Sequence, residues 1–477
     1  MEKKFRIGTL MAFVFVFAVQ FLMMIFREIG SLDELWIFNM GLNVSRGLTP
    51  YSQVSIITFP LSQLLSAGFI KIFGEYLIVI RVIGLILAFA DMIMLYFIMR
   101  KIGIAEGAAA PSIAVIGCLT SPCMSYDYNF LILTMVLGVV LLQLNAVESG
   151  TFALAIWSSV LGCCCFFCKQ TVGAIVWLAV FIVNMRIFNK KKQRVKLLWI
   201  NLAMGVLSLG AMIGYFSYKG ALNDLIRYTV TGVGEFDNHI SVLEFAGTMT
   251  GAIVIGLSMI AAVMAVCDVA KNKTVSLKIL LCYWAALTVL MFPIADVVHS
   301  VQSFILMSAI IVKVLQKKMA VSDNSTLSVT AVGIISLIMA LMIQEPWKIQ
   351  FSQLKHYELI PTESSFENSV AIVDDSIKQL KGRTAIADAS AAAFLIPLDI
   401  YNKDLDMLLK GNVGGKADEM MKGCIDSYDH ILIAKDEVEP NWQFPKEIKS
   451  IVREHGIKSG EIGNFEIYEI RKGTQVK

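Results

Sequence analysis

Two carboxylates stand side by side at Asp33 and Glu34, just beyond the apolar run "IGTLMAFVFVFAVQFLMMIF". Ionisable groups at membrane depth are costly and by default mark a functional site. Such a pair suits general-base work, taking a proton from a hydroxyl or amine as it attacks. Farther along, Arg81, Lys169 and His299 are the kinds of group that bind a phosphate and stabilise it as it leaves. Tyr51, Asp127, Gln170 and Asp296 add polar contacts for a substrate. Each residue also has a structural reading. "SLDE" fits a capping box with Ser31 as N-cap and Glu34 at N3, and Asp33 there suits the helix dipole. Lys169 and Arg81 can snorkel to headgroups. Asp127 can cap a helix starting near Phe130, and His299 can be a satisfied core residue.

The elements that must position these groups are membrane spans. The 477 residues are 56% hydrophobic, with mean hydropathy +0.68. Soluble domains sit near roughly 45–50% apolar, so this is a multispanning chain. A net charge of +3 gives no footing for nucleic-acid binding. Eight of nine cysteines lie in or beside apolar segments and Cys424 is alone in the tail, so they read as small buried hydrophobes, not a disulfide framework. The first apolar run of 20 residues is too long for a signal-peptide core.

Spans of about 20 residues are predicted to begin near residues 7, 77, 107, 130, 152, 171, 197, 243, 279, 298 and 325, eleven in all. With the N-terminus in the cytoplasm, the inner segments carry 17 Lys and Arg and the outer ones before residue 345 carry 7, as the positive-inside rule requires. The stretch "ITFPLSQLLSAGFIKIFG" (57–74) would invert every later loop if it crossed, so it is assigned to the outer interface. This predicts a mainly α, polytopic fold with a transmembrane domain over 1–344. Residues 345–477 then form a small extracytoplasmic α/β domain. In that tail, "RTAIADA", "DHILIAKD" and "NFEIYEI" read as strands and "PKEIKSIVREHG" as a helix.

On this topology all the polar groups fall at outer ends: Asp33 and Glu34, "SYDYN" (125–129), "CKQTVG" (168–173), "NDLIRYTVTGVGEFDNH" (223–239) and "FPIADVVHS" (292–300). Together they describe attack at an anomeric carbon, with a carboxylate behind the acceptor and cations on a departing lipid phosphate. The expected partners are a polyprenyl-phosphate sugar donor, an acceptor outside the membrane, and membrane lipids. No complete metal-ligand set is present, so no metal or other cofactor is predicted. The alternative is a transporter or flippase. Against it stand the scarcity of polar residues at mid-span and the lack of inverted repeats with broken helices.

"LDELWIFNMGLNVSRGLTPYSQ" resembles the first outer loop of the GT-C superfamily of membrane glycosyltransferases, especially the protein O-mannosyltransferase and lipid A aminoarabinose transferase branch. It has the acidic pair, an amphipathic helix, then Gly47, Pro50 and Tyr51. The similarity continues in Pro60, Phe73, Gly74 and Arg81, in the Lys-Gln turn of "CKQTVG", and in the Asp-x-x-His of "PIADVVHS". The tail "DASAAAFLIPLDI…LLKGNVGG" is similar to tails of members from Gram-positive bacteria. The resemblance implies an inverting transferase in which Asp33 is the base, with Glu34 beside it.

Overall fold

The computed structural model describes residues 7–29, 32–234, 240–292, 294–318, 350–387, 392–403, 405, 425, 427–435 and 445–471. It is mainly α-helical, with a small sheet near the C-terminus, as expected. The helices before the tail are α1 (Ile7–Ile25), α2 (Leu32–Ser45), α3 (Leu61–Phe73), α4 (Leu77–Lys101), α5 (Glu106–Thr120), α6 (Tyr128–Ser149), α7 (Phe152–Cys168) and α8 (Gln170–Ile187). They continue with α9 (Lys191–Tyr218), the short α10 (Leu222–Ile226), α11 (Gly232–Gly234) and α12 (Val242–Ala246), then α13 (Met249–Asn272), α14 (Val275–Thr288) and α15 (Val297–Lys318).

Seven of these, α1, α4, α6, α8, α9, α13 and α15, are long and apolar enough to cross a membrane. Helices begin close to ten of the eleven predicted starts. The eleventh, near 325, lies outside the described residues, as do Ser31, Asn412 and Cys424. Helices α5, α7 and α14 are shorter than a full span, at 15, 17 and 14 residues. Helix α3 has 13 residues. That is about 20 Å of helix, too short for a hydrocarbon core about 30 Å thick.

The chain divides into two compact units that are not contiguous in sequence. One comprises Met1–Arg27, Arg81–Met212 and Ile240–Pro346; the other comprises Glu28–Ile80, Ile213–His239 and Trp347–Lys477.

In the first unit a buried polar cluster ties five helices. Gln143 on α6 donates to Asn184 Oδ1 on α8 at 3.0 Å, and Tyr283 on α14 donates to Gln143 Oε1 at 2.9 Å. Asn184 donates to Ser158 on α7 at 2.9 Å, and Asn201 on α9 donates to Ser159 at 3.3 Å. Such bonds are the usual adhesive between helices in lipid, where apolar burial supplies no driving force. The bundle thus holds more buried polar groups than the sequence reading assumes, and their scarcity is no reason to exclude a transporter.

In the second unit α2 is buried from Glu34 to Asn43 and packs on α3. A Cβ on Gly41 would lie 2.2 Å from Ser66 Oγ, so the two helices meet there only because residue 41 is glycine. Helix α3 turns Ser62, Gln63 and Ser66 inward and leaves Leu64, Leu65, Ile72 and Phe73 exposed.

The tail carries a two-stranded antiparallel pair, β1 (Gln350–Phe351) and β2 (Pro361–Thr362), and a four-stranded sheet. That sheet has the order β3 (Thr384–Ile386), β4 (His430–Ala434), β6 (Phe465–Ile470), β5 (Gly456–Ile462), with β3 and β4 parallel and the other pairs antiparallel. Helices α16 (Ser364–Gln379), α17 (Ala392–Leu395) and α18 (Pro445–His455) complete it. Ile431 and Ile433 enter one core and Leu432 the other, so β4 is covered on both faces. The predicted β3, β4, β6 and α18 are all present. Strand β5 is unpredicted, because "GIKSGEI" offers two glycines and no alternation of apolar residues.

Candidate active site

Within the first unit, Lys169, Asp127, Arg27 and Asp296 lie around segment 121–129. The α7–α8 hairpin presents Lys169 there. Lys169 is extended between the two helices (φ −149°, ψ 110°). The hairpin closes this tightly only with glycine at 173, where a Cβ would lie 2.2 Å from the Cys165 carbonyl oxygen. Lys169 Nζ donates to Asn129 Oδ1 at 3.1 Å and lies 4.9 Å from the Tyr128 ring centroid. It therefore engages the start of α6 and is no mere snorkel. Gln170 opens α8 beside it, half-buried.

Asp127 is the N-cap of α6. Its Oδ1 accepts from the Asn129 and Phe130 amides at 2.6 and 3.0 Å, and Ser125 donates to Oδ2 at 2.7 Å. It is 1% exposed. Oδ1 thus serves the helix start, and Oδ2 takes the Ser125 hydroxyl.

Asp296 and His299 form one unit at the head of α15. Asp296 Oδ1 accepts from the His299 amide at 2.7 Å and lies 2.9 Å from His299 Nδ1. Burial pushes the Asp296 carboxyl up, but the bond and charge of His299, with the Val298 and His299 amides, outweigh it and hold the group below the usual carboxylate range. The carboxylate fixes the proton on Nδ1 and leaves Nε2 as the ring's other face. Asp296 also lies near the 121–124 turn. Burial and then the Asp296 charge push the Cys123 thiol up, while Arg27 opposes them.

Arg27, which the sequence reading passed over, donates to the Met124 carbonyl at 3.3 Å. Its only signal was a charge just past the first span.

Arg81 is 1% exposed and its guanidinium binds the Ile25 and Arg27 carbonyls at the end of α1. It neither snorkels nor stands open to a phosphate; it satisfies backbone groups that α1 leaves without partners. Three residues on, Gly84 lets the chain at Tyr126 approach, since a Cβ would sit 3.0 Å from its amide nitrogen.

In the second unit, Asp33 and Glu34 occupy the first turn of α2, where the helix dipole favours negative charge. They are not equivalent: Asp33 is half-buried, whereas Glu34 is 1% exposed. Tyr51 closes the following turn in a left-handed conformation (φ 68°). It is fully buried, its hydroxyl donates to the Thr58 carbonyl at 2.8 Å, and its ring packs edge-on to Phe216 at 5.0 Å. Burial pushes its phenol well above the usual range. These contacts hold a strained turn in place.

Tail residues grip the same segment. Tyr401 Oη accepts from the Ser55 amide at 2.7 Å, and Lys403 donates to the Ser52 carbonyl at 2.8 Å. Arg46 binds Glu75 at 2.5 Å and Asp399 at 3.1 Å, and His356 Nε2 lies 2.7 Å from Asp399. Burial would raise Asp399, yet Lys355, His356 and Arg46 hold it at about 2. The Arg46 bond likewise holds Glu75 low. Among the described residues no three His, Cys, Asp or Glu side chains gather as a metal site.

The fold is similar to those of solved membrane-enzyme structures. It matches ArnT from Cupriavidus metallidurans in the apo state with a TM-score of 0.58, 10% identity and 98% of both chains covered. The same protein bound to undecaprenyl phosphate matches at 0.50, with 11% identity and 98% of both chains. The Archaeoglobus fulgidus oligosaccharyltransferase in complex with Zn and sulfate matches at 0.50, with 11% identity, over 90% of this chain and 68% of that one. At such identities the likeness is one of fold. The sequence matches no family model and no curated protein.

Proposed function

We propose that this protein is an inverting glycosyltransferase that moves a sugar from a polyprenyl-phosphate donor to an acceptor on the outer face of the membrane. Asp33 takes the proton of the acceptor hydroxyl or amine. The acceptor atom bonds to the anomeric carbon as the bond from that carbon to the phosphate oxygen breaks, and the bonding pair leaves with the phosphate. Lys169 and His299 receive that anion. Glu34, enclosed beside Asp33, positions the helix start and its charge. Gln170 and the Asp296–His299 pair line the donor side. Asp127, Arg81 and Tyr51 hold the framework.

The observation that carries this reading is the half-buried Asp33 in the first turn of a helix that is buried from Glu34 to Asn43. It sits in a chain with the fold of ArnT, whose bound form carries undecaprenyl phosphate. The positive-inside rule, which assigns the basic loops to the cytoplasm, supports an outward-facing site and a C-terminal domain outside the membrane. That domain, through Tyr401 and Lys403, would set the shape of the acceptor entrance.

The test is to supply the purified protein with a panel of polyprenyl-phosphate sugars and measure release of the lipid phosphate. Release with one donor supports the transferase. Flip of intact donor across proteoliposomes without release would instead favour a flippase.

A further inference from the structure

At the opposite ends of the helices from the 121–129 segment, the first unit contains a cavity of about 700 Å³ between α6, α8 and α14. Three cations line it: Arg186 at the end of α8, Lys190 in the turn that follows, and Lys278 in the first turn of α14. No carboxylate lines it. Glu148, next to the lining residue Val147, is bonded to Lys101 at 2.6 Å. Among the described residues none of the three cations has an ion-pair partner. The remaining wall is apolar, and Val147 and Ile182 are 43% and 48% exposed on it.

We propose that this cavity binds an anionic phospholipid, with the headgroup phosphate on Arg186, Lys190 and Lys278 and the acyl chains along Val147, Ile182 and Ile279. Unpaired cations directly above an exposed apolar wall match the boundary between headgroup and chain. Basic pockets between spans are the usual seat of such lipids. The start of α14 adds amide donors that no side chain caps. The site is separate from the transferase chemistry and stands or falls without it.

The test is native mass spectrometry of the purified full chain, in detergent, with phosphatidylglycerol or phosphatidylcholine. Wild type is expected to retain phosphatidylglycerol preferentially. Each surface cation contributes about a fivefold factor toward an anionic lipid. The triple variant Arg186→Gln, Lys190→Gln, Lys278→Gln should therefore lose roughly one to two orders of magnitude of that preference. Exchanging the charges (Arg186→Lys, Lys190→Arg, Lys278→Arg) should keep it, which separates the effect from misfolding. Lys192→Gln, two residues from Lys190 and not among the lining residues, should leave it unchanged. Equal retention of both lipids by wild type, an unchanged preference in the triple variant, or adducts of inorganic phosphate in place of lipid would overturn the proposal.

Discussion

Adjacent acids can differ in what they are free to do, and Asp33 and Glu34 illustrate how. Neighbouring positions on a helix point about 100° apart, so one is half-buried while the other is enclosed. The pair itself is legible in the sequence; which member is accessible is not, because that depends on what packs around α2. Tyr51, Asp127 and Arg81 teach the same lesson. Their types suggest contact with substrate, while their burial and hydrogen bonds tie them to neighbouring protein groups. Lys169 is the cation whose surroundings favour a direct role, since an amide oxygen and an aromatic face orient it. Lys169→Met is expected to lower kcat for donor cleavage by about a hundredfold, with helical content by circular dichroism unchanged. Gly173→Ala should lower the melting temperature of the purified protein, corresponding to ~1–3 kcal/mol of overpacking, since its Cβ would meet the Cys165 carbonyl.

Among elements, the positions of helices follow directly from apolar runs and charge, so their starts are readable to within six residues, the largest gaps being Lys191 against 197 and Met249 against 243. Their lengths are less so: α5, α7 and α14 end early because turns bearing the polar motifs interrupt them. Helix α3 inverts the soluble pattern, with serines and a glutamine against α2 and leucines outward. That arrangement suits a helix resting on lipid. The contacts of Arg46 with His356 and Asp399 are invisible in sequence, because these partners lie 310 and 353 residues away. Asp399 sits at about 2 in the folded chain, below the ordinary value near 3.9. A depressed carboxylate contributes stability that is full above the unfolded value and lost as pH falls through the folded one. The melting-temperature gap between wild type and Asp399→Asn should therefore hold steady from pH 7 to about 5 and narrow below about pH 4. A gap that stays constant down to pH 3 would contradict this role for the ion pairs.

For the whole molecule, composition and charge asymmetry are enough to identify a multispanning chain with a soluble-like tail. The compact units cut across that division. The segment with the acidic pair belongs with the tail, whereas Lys169, Asp296 and His299 belong with the long helices. Hydropathy cannot reveal this, because it measures each segment against solvent and not against its partner.

The central claim rests on Asp33 as the base. Donor turnover should be compared at equal expression in membranes carrying wild type, Asp33→Asn and Asp33→Glu, with release of polyprenyl phosphate as the readout. The account predicts that Asp33→Asn lowers the rate by about two to four orders of magnitude and that Asp33→Glu retains part of it. Wild-type turnover by Asp33→Asn would contradict it and leave the carboxylate as a helix cap.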